Sequence, residues 1–223
     1  MKTTTIVGAA LLLIIGSACP THAQVVTLGG ATFDATSDQV PTFSYSAVTT
    51  DAVKIYTGYG DKAGFTRTEV YHRYESVAGV KALKRSTMVG SPPPSAGAGA
   101  PKATPAAPAE DWWLAMDTQG NLRVLKVVTA GLMSFQASAT NAPPILMPAS
   151  IAAGQTWSVL DKTITVEALN ASAGDYTELL KLKIETSPVE VQYEYYLAGT
   201  GRVITQQGRS LDPSGSGWEL KRP

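Results

Sequence analysis

The chain has 223 residues, of which 44% are hydrophobic and 16% charged, a composition typical of a globular protein. Its 18 basic and 18 acidic side chains cancel, so there is no basic surface to neutralise phosphates, and we expect no nucleic-acid partner. A single cysteine excludes a disulfide framework and a thiolate zinc site. The two histidines leave little for metal binding or proton transfer, so we expect neither a metal site nor a cofactor.

Residues 1–23 have the anatomy of a signal peptide, with a positive charge ahead of an apolar run at 6–15. That run is too short to span a bilayer, and we expect no transmembrane span in the mature chain. Two processing sites compete. Cleavage after Ala23 would release a periplasmic or secreted protein, whereas residues 16–19 resemble the lipobox of bacterial lipoproteins. In that alternative Cys19 would carry a lipid anchor. The first residue of the lipobox segment is glycine instead of a large aliphatic residue, which favours the cut after Ala23.

Strand patterns follow the signal peptide. Alternating apolar side chains at residues 53–59 and 180–185 predict strands with one apolar side. The clearest alternation covers residues 189–197, where aliphatic and tyrosine side chains occupy every second position. Glu190 and Glu194 lie between them, so we expect both carboxylates on a solvated outer face of that strand.

The segment 91–109 interrupts the strand patterns. It holds 19 residues, including six prolines and seven alanines, and no large apolar side chain. Such a stretch cannot bury enough surface to offset its ordering entropy, so we predict a disordered, flexible insertion. The part of the mature chain before it is short for an independent β domain, which favours one domain over residues 24–223.

Two adjacent tryptophans, Trp112 and Trp113, begin the next predicted strand, which ends at a turn over residues 117–121. On a strand their side chains face opposite ways. One of them is therefore a candidate binding residue for a partner or ligand, beside the insertion. In the alternative, both are covered, one by the core and one by the flanking loop.

Four segments of the second half resemble a run found in uncharacterised bacterial exported or lipoprotein β-sheet families. They are residues 144–148 (PILMP), 153–157 (AGQTW), 173–176 (AGDY) and 195–203 (YYLAGTGRV). Glycine at 199 stands where the family pattern has proline. The resemblance implies an exported β-sheet domain and is nearly silent on activity. More loosely, such sheets are similar to the open half-barrels of periplasmic lipoprotein carriers, which hold acyl chains.

Catalytic groups are sparse. No glycine-x-serine-x-glycine elbow occurs, and after processing His72 would be the single imidazole. A half-exposed strand histidine explains His72 better than a base, although a hydrolase built around it is a third hypothesis. Glu190 and Glu194 would lie roughly 13 Å apart along a strand, too far for a glycosidase pair.

The sequence therefore predicts an all-β antiparallel meander of about ten strands, forming a strongly curved sheet or open barrel. We expect a non-enzymatic exported protein that acts as a binding or envelope-structural module, in the periplasm or at the cell surface. Its partner would be an envelope protein or an apolar ligand. The alternative function is a periplasmic carrier of acyl chains or another apolar ligand in a half-barrel.

Overall fold

The computed structural model describes residues 24–35, 42–43, 45–47, 50–90, 110–187, 190–208 and 215–221. Strands dominate this part of the chain, together with one short 3-10 helix at Gly60–Lys62, and it contains no α-helix. The strands are β1 (Val25–Leu28), β2 (Ala31–Asp34), β3 (Thr42–Phe43), β4 (Ser46–Ala47), β5 (Val53–Tyr59), β6 (Thr66–Val77), β7 (Val80–Gly90), β8 (Glu110–Met116), β9 (Leu122–Thr129), β10 (Leu132–Gln136), β11 (Ile145–Met147), β12 (Thr156–Val159), β13 (Lys162–Ala173), β14 (Tyr176–Ser187), β15 (Glu190–Leu197), β16 (Gly201–Gln207) and β17 (Ser216–Leu220). The predicted all-β class is confirmed. No helix of the described residues could serve as a membrane span.

Thirteen of these strands form one antiparallel sheet, in the order β10-β9-β8-β7-β6-β5-β17-β16-β15-β14-β13-β12, with β11 paired to β9. Neighbours in this order are neighbours along the chain except at β5 and β17, so the sheet is a meander, as predicted. The sheet has more strands than the ten or so predicted. Two short hairpins, β1-β2 and β3-β4, lie outside it.

The pairing of β5 with β17 joins the first and last strands of the sheet in its middle. A glycine permits this junction. A Cβ atom at Gly217 would lie 1.9 Å from the Thr205 carbonyl oxygen and 2.5 Å from the Tyr59 hydroxyl. The Tyr59 hydroxyl crosses over this glycine and donates a 3.2 Å hydrogen bond to the Thr205 carbonyl on β16.

The predicted insertion at 91–109 and the predicted signal peptide at 1–23, including Cys19, lie outside the described residues. The strands that flank the insertion, β7 and β8, pair directly with each other, and Arg85 lies opposite Trp112 in this pairing. The sheet therefore contains strands from both sides of the insertion.

The largest apolar cluster draws side chains from both ends of the strand order. It combines residues of β8, β9 and β11 with residues of β12, β13 and β14, such as Trp112, Val124, Ile164 and Leu182. The opposite face of β8 and β9 packs in a second cluster with the β1-β2 hairpin, where Phe33 is fully buried. The strong curvature predicted for the sheet stays a prediction.

The turn predicted at 117–121 connects β8 to β9, as the sequence indicates. Gly120 adopts a φ of +83°, a value that L side chains rarely accept. The Asp117 side chain accepts hydrogen bonds from the backbone of Gln119 and Asn121 and from the Arg123 guanidinium. Asp117 thus holds its own turn together, which is the local role that its residue type favours.

Candidate functional site

The two tryptophans predicted to face opposite ways do so. Trp112 belongs to the cluster shared with β12 to β14, and Trp113 to the cluster beneath the β1-β2 hairpin. Both are buried, with 6% and 5% of their surface exposed, so neither presents an open contact point. Their binding role stays a prediction, but their polar atoms differ. The indole N–H of Trp113 donates to Glu75 at 2.7 Å, whereas that of Trp112 is buried without a hydrogen-bond partner.

Charged and phenolic side chains converge on the face of the sheet that carries Trp112. Strand register explains this convergence, because residues paired across antiparallel strands point to the same side. Tyr71 on β6 pairs with Arg85 on β7, which pairs with Trp112 on β8. We call the following set the inner charge cluster: Lys54, Tyr56, Arg67, Glu69, Tyr71, Arg85, Glu194, Tyr196 and Arg202.

Glu69 is the most deeply buried carboxylate of the cluster, with 1% of its surface exposed. It accepts hydrogen bonds from Arg67 Nη2 at 3.1 Å, from Arg202 Nη2 and from the Tyr56 hydroxyl at 3.1 Å. Burial on its own would raise the pKa of Glu69, but the charges of Arg202, Arg85 and Arg67 outweigh it and hold the pKa well below its usual range. Glu69 is therefore ionised in the folded protein.

Glu194 corrects a prediction. We expected it on a solvated face, yet it is 6% exposed and bonded to Arg202 Nη1, to the Tyr196 hydroxyl and to Gln192 Nε2 at 2.9 Å. The physical reason is that both faces of β15 are covered. Arg202 bonds Glu194 and Glu69 on one face, and Tyr193 and Tyr195 pack in a cluster on the other. Burial raises the pKa of Glu194, but Arg202 and the hydrogen bonds lower it overall. Glu190, the other carboxylate predicted on that face, is exposed.

Arg202 links the two carboxylates. Its guanidinium bonds Glu69 on β6 with one terminal nitrogen and Glu194 on β15 with the other. These are charge-assisted contacts in a buried setting, where losing one partner leaves an uncompensated charge. Arg202 therefore ties three strands, β6, β15 and β16, into one electrostatic unit.

A cavity of about 270 Å³ lies against this cluster. Its polar lining contains Arg67, Arg85, Glu194 and Arg202. Its apolar lining consists of Leu146, Val159, Ile164, Leu182 and Ile184, beside the Trp112 ring, and Leu182 is paired with Glu194 across β14 and β15, so the polar and apolar parts adjoin there. A smaller cavity toward Lys54 shares Arg85 and Arg202 with it, and a further one toward Glu190 shares Lys162 and Gln192, so the three spaces adjoin.

Positive charge exceeds negative charge around the cavity. Four cationic side chains line it, Arg67, Arg85, Lys162 and Arg202, against two anionic ones, Glu110 and Glu194. The nearby pair Lys54 and Glu69 adds one charge of each sign and leaves the excess unchanged. Burial lowers the pKa of Lys54, whose ammonium donates to the Thr200 carbonyl at 2.6 Å.

Three hydrogen-bond donors at the cavity wall have no partner. Arg67 Nε, Arg85 Nε and Trp112 Nε1 are buried and make no hydrogen bond. Buried polar groups are ordinarily paired, so unpaired donors around one space call for an explanation. Arg85 also lies over the Trp112 ring, with its guanidinium carbon 5.1 Å from the ring centroid. All three donors belong to residues that line the cavity.

The third hypothesis concerned His72, which is half-buried and lies 2.8 Å from the Ser86 hydroxyl through its Nε2 atom. This pair was not foreseen from the sequence. Ser86 lies between Arg85 and Thr87 along β7, so it faces away from the inner charge cluster. Within the described residues no carboxylate bonds the other ring nitrogen of His72, and no group of three or more His, Cys, Asp and Glu side chains is placed to hold a metal.

Sequence reasoning missed the inner charge cluster, although a signal was present. Residues 65–77 are rich in β-branched and aromatic side chains but show poor apolar alternation, so apolar periodicity alone does not identify their inward face. Arg67, Glu69 and Tyr71 do alternate there at the two-residue period, but with polar instead of apolar side chains. Lys54 and Tyr56 repeat the pattern on β5, opposite the apolar positions that the sequence singled out, and Val53 on that apolar side is 57% exposed.

No protein-family model matches the chain, and neither curated proteins nor solved structures provide a match. The resemblance to exported β-sheet families therefore stays a prediction.

Proposed function

We propose that this chain is a non-enzymatic binding module that holds an apolar or amphiphilic ligand in the cavity beside the inner charge cluster. One observation carries the proposal: a single hollow space is lined both by residues with buried, unpaired donors and by apolar side chains. Ligand sites generally combine mostly apolar walls with a few polar groups that fix orientation.

The cavity favours a carrier over a purely structural module. A structural module would fill the space between its apolar faces with its own side chains, as protein interiors normally do. Here the space next to Val159, Ile164 and Leu182 stays hollow, although these side chains are themselves buried. A ligand with an apolar body would complete the packing.

The proposed location follows from the first residues. A chain processed after Ala23 would act in the periplasm or outside the cell, and one lipidated at Cys19 would act at a membrane surface. The N-terminal mass of the exported protein distinguishes the two. A mass that begins at residue 24 supports the first, a lipidated cysteine supports the second, and an unprocessed N-terminus contradicts export.

Thermal unfolding of the full mature chain tests the proposed function. Octanol, octanoate, octyl phosphate and octylammonium share one tail and differ in head group. A ligand at about one hundred times its Kd stabilises the native state by about 2.7 kcal/mol, which raises the Tm by roughly 5–10 °C for a chain of this size. No shift with any of the four compounds would contradict the proposal.

A cavity-filling variant provides the matched control. Val159→Phe replaces a small aliphatic side chain of the cavity lining with an aromatic ring and should abolish the rise in Tm with ligand. Val53→Phe makes the same change at an exposed position and should keep that rise. Equal shifts in both variants would place the bound amphiphile elsewhere and would contradict the proposed site.

A further inference from the structure

We infer that the ligand is an organic carboxylate whose head group binds Arg85 and Trp112, with its apolar body along β12 to β14. This inference rests on the proposed function and names the chemical class of the ligand in that same cavity.

Arg85 and Lys162 are the cations lining the cavity that form no ion pair with a described residue, and of these two it is Arg85 that lies beside the unpaired Trp112 indole N–H. Arg67 bonds Glu69 at 3.1 Å, and Arg202 bonds both Glu69 and Glu194. Arg85 forms no hydrogen bond or ion pair within the described residues, and its one close contact of this kind is with the Trp112 ring. Burial disfavours the Arg85 charge, but nearby Glu69, Tyr71 and Glu110 favour it and raise its pKa overall. None of them bonds the guanidinium directly, so its hydrogen-bonding edge stays open to an anion.

The Trp112 indole N–H provides a second donor at the same place. Arg85 and Trp112 are directly paired across β7 and β8, so their side chains leave the sheet together. An acceptor group bound between them can take one hydrogen bond from the guanidinium edge and one from the indole. This arrangement requires at least two acceptor sites on one small head group.

A carboxylate fits this donor set better than the other common head groups. Its two coplanar oxygens can accept one hydrogen bond from the guanidinium edge and one from the indole N–H. A phosphate monoester carries close to two charges, and the second would lie near Glu110 and Glu194, which line the same cavity. A hydroxyl would leave the guanidinium charge uncompensated, and an ammonium would be repelled by it.

The remaining contacts define the body of the ligand. From the Arg85 position the cavity continues between Leu146 and the side chains of Ile164, Leu182 and Ile184. Beside these apolar side chains an alkyl or aryl group is removed from water, which favours binding in proportion to the apolar surface buried.

Calorimetric titration of the mature chain with octanoate, octyl phosphate, octanol and octylammonium tests the inference. We expect octanoate to bind most tightly. Arg85→Lys keeps the charge but removes the fork, and we expect it to weaken octanoate binding roughly tenfold or more. Trp112→Phe keeps the ring but removes the N–H, and we expect roughly two- to tenfold weaker binding.

Two control variants remove the same groups elsewhere. Arg73→Lys changes an exposed arginine of β6, and Trp113→Phe removes an indole N–H on the opposite face of β8. Both should bind octanoate like the unaltered chain, and circular dichroism reports whether each variant is folded. Trp112→Phe gives an independent reading if Arg85→Lys fails to fold.

The outcomes separate the inference from the function on which it rests. Octanol or octyl phosphate binding as tightly as octanoate would overturn the carboxylate assignment and leave the binding module standing. Octanoate affinity unchanged by both Arg85→Lys and Trp112→Phe would overturn the position of the head group. Failure of all four compounds to bind would contradict the proposed function itself.

Discussion

Two buried carboxylates in this protein are held in opposite ways. Asp117 takes all its partners from the next six residues of the chain, where Gln119, Asn121 and Arg123 donate to both carboxylate oxygens. Glu69 depends on Arg202, which is 133 residues away along the chain. The contacts of Asp117, the local centre, all lie within or next to its own turn. The contact of Glu69 with Arg202, the long-range centre, forms only when β6 and β16 belong to one sheet.

The difference extends to what each centre leaves unpaired. Both oxygens of Asp117 are bonded, and no cavity-facing donor next to it is left without a partner among the described residues. Around Glu69, Arg67 and Arg85 keep buried donors without partners beside a hollow space. The hydrogen bonds of Asp117 are complete and stabilise a turn. The network around Glu69 leaves donors of Arg67 and Arg85 unpaired, and we propose that these donors belong to a ligand site.

The largest effect should come from breaking the long-range centre. Glu69→Gln removes the carboxylate that Arg67 and Arg202 share and leaves buried positive charge without compensation. We expect the free energy of unfolding to fall by about 3–5 kcal/mol. Urea denaturation at neutral pH measures it. Glu185→Gln, which breaks the partly exposed pair with Lys183, is the control and should cost at most about 1 kcal/mol. Equal losses in the two variants would mean that the inner charge cluster does not stabilise the fold.

Acid should weaken the same centre. The pKa values of Glu69 and Glu194 are lowered in the folded protein, so their stabilisation is complete above the ordinary glutamate pKa and is lost as the pH falls below it. We expect the free energy of unfolding to fall steadily as the pH drops below the ordinary glutamate pKa, read from urea midpoints between neutral and acid pH. Glu69→Gln should flatten this profile, and a variant profile as steep as that of the unaltered chain would contradict the assignment.

Breaking the local centre should have a smaller effect. Asp117→Ala removes the hydrogen bonds to Gln119, Asn121 and Arg123, and we expect a loss of about 2 kcal/mol, typical of hydrogen bonds to a charged group. Because this turn lies outside the cavity wall, octanoate affinity should stay unchanged in the folded variant. A loss of affinity as large as that of Arg85→Lys would show that the two centres are coupled.

The smallest effect distinguishes the two tryptophans. Trp113→Phe breaks the 2.7 Å hydrogen bond to Glu75 and should cost about 1 kcal/mol without ligand. Trp112→Phe breaks no hydrogen bond and removes a buried unpaired donor, so it should be neutral or slightly stabilising. Thermal unfolding of the two variants side by side gives the comparison, and a larger loss in Trp112→Phe would mean that its N–H has a partner in the free protein.

Sequence reasoning located the features that depend on near neighbours. The two-residue period gave the strands, and the residue types at 117–121 gave the turn. It placed Glu194 in solvent because alternation along one strand says nothing about what lies opposite its second face. That face is covered by Arg202 of β16, whose contact with Glu194 depends on the pairing of β15 with β16.

The cavity was out of reach for the same reason. Its lining comes from β6 to β8, from β11 and from β12 to β16, and no single segment contains all of these strands. The prediction of opposite directions for Trp112 and Trp113 needed their adjacency on a strand alone, and it is confirmed. Which of the two has a free indole N–H depends on Glu75, 38 residues before Trp113.

The most direct test of the proposed site is an NMR titration that follows the indole N–H signals of the four tryptophans as octanoate is added. The signal missing from Trp112→Phe identifies Trp112, and the one missing from Trp113→Phe identifies Trp113. We predict that the Trp112 signal moves to a saturating position as its N–H gains an acceptor, while the Trp113 signal, already bonded to Glu75, stays in place. A Trp112 signal that does not move at saturating octanoate, or a shift confined to Trp113, would contradict a carboxylate site in this cavity.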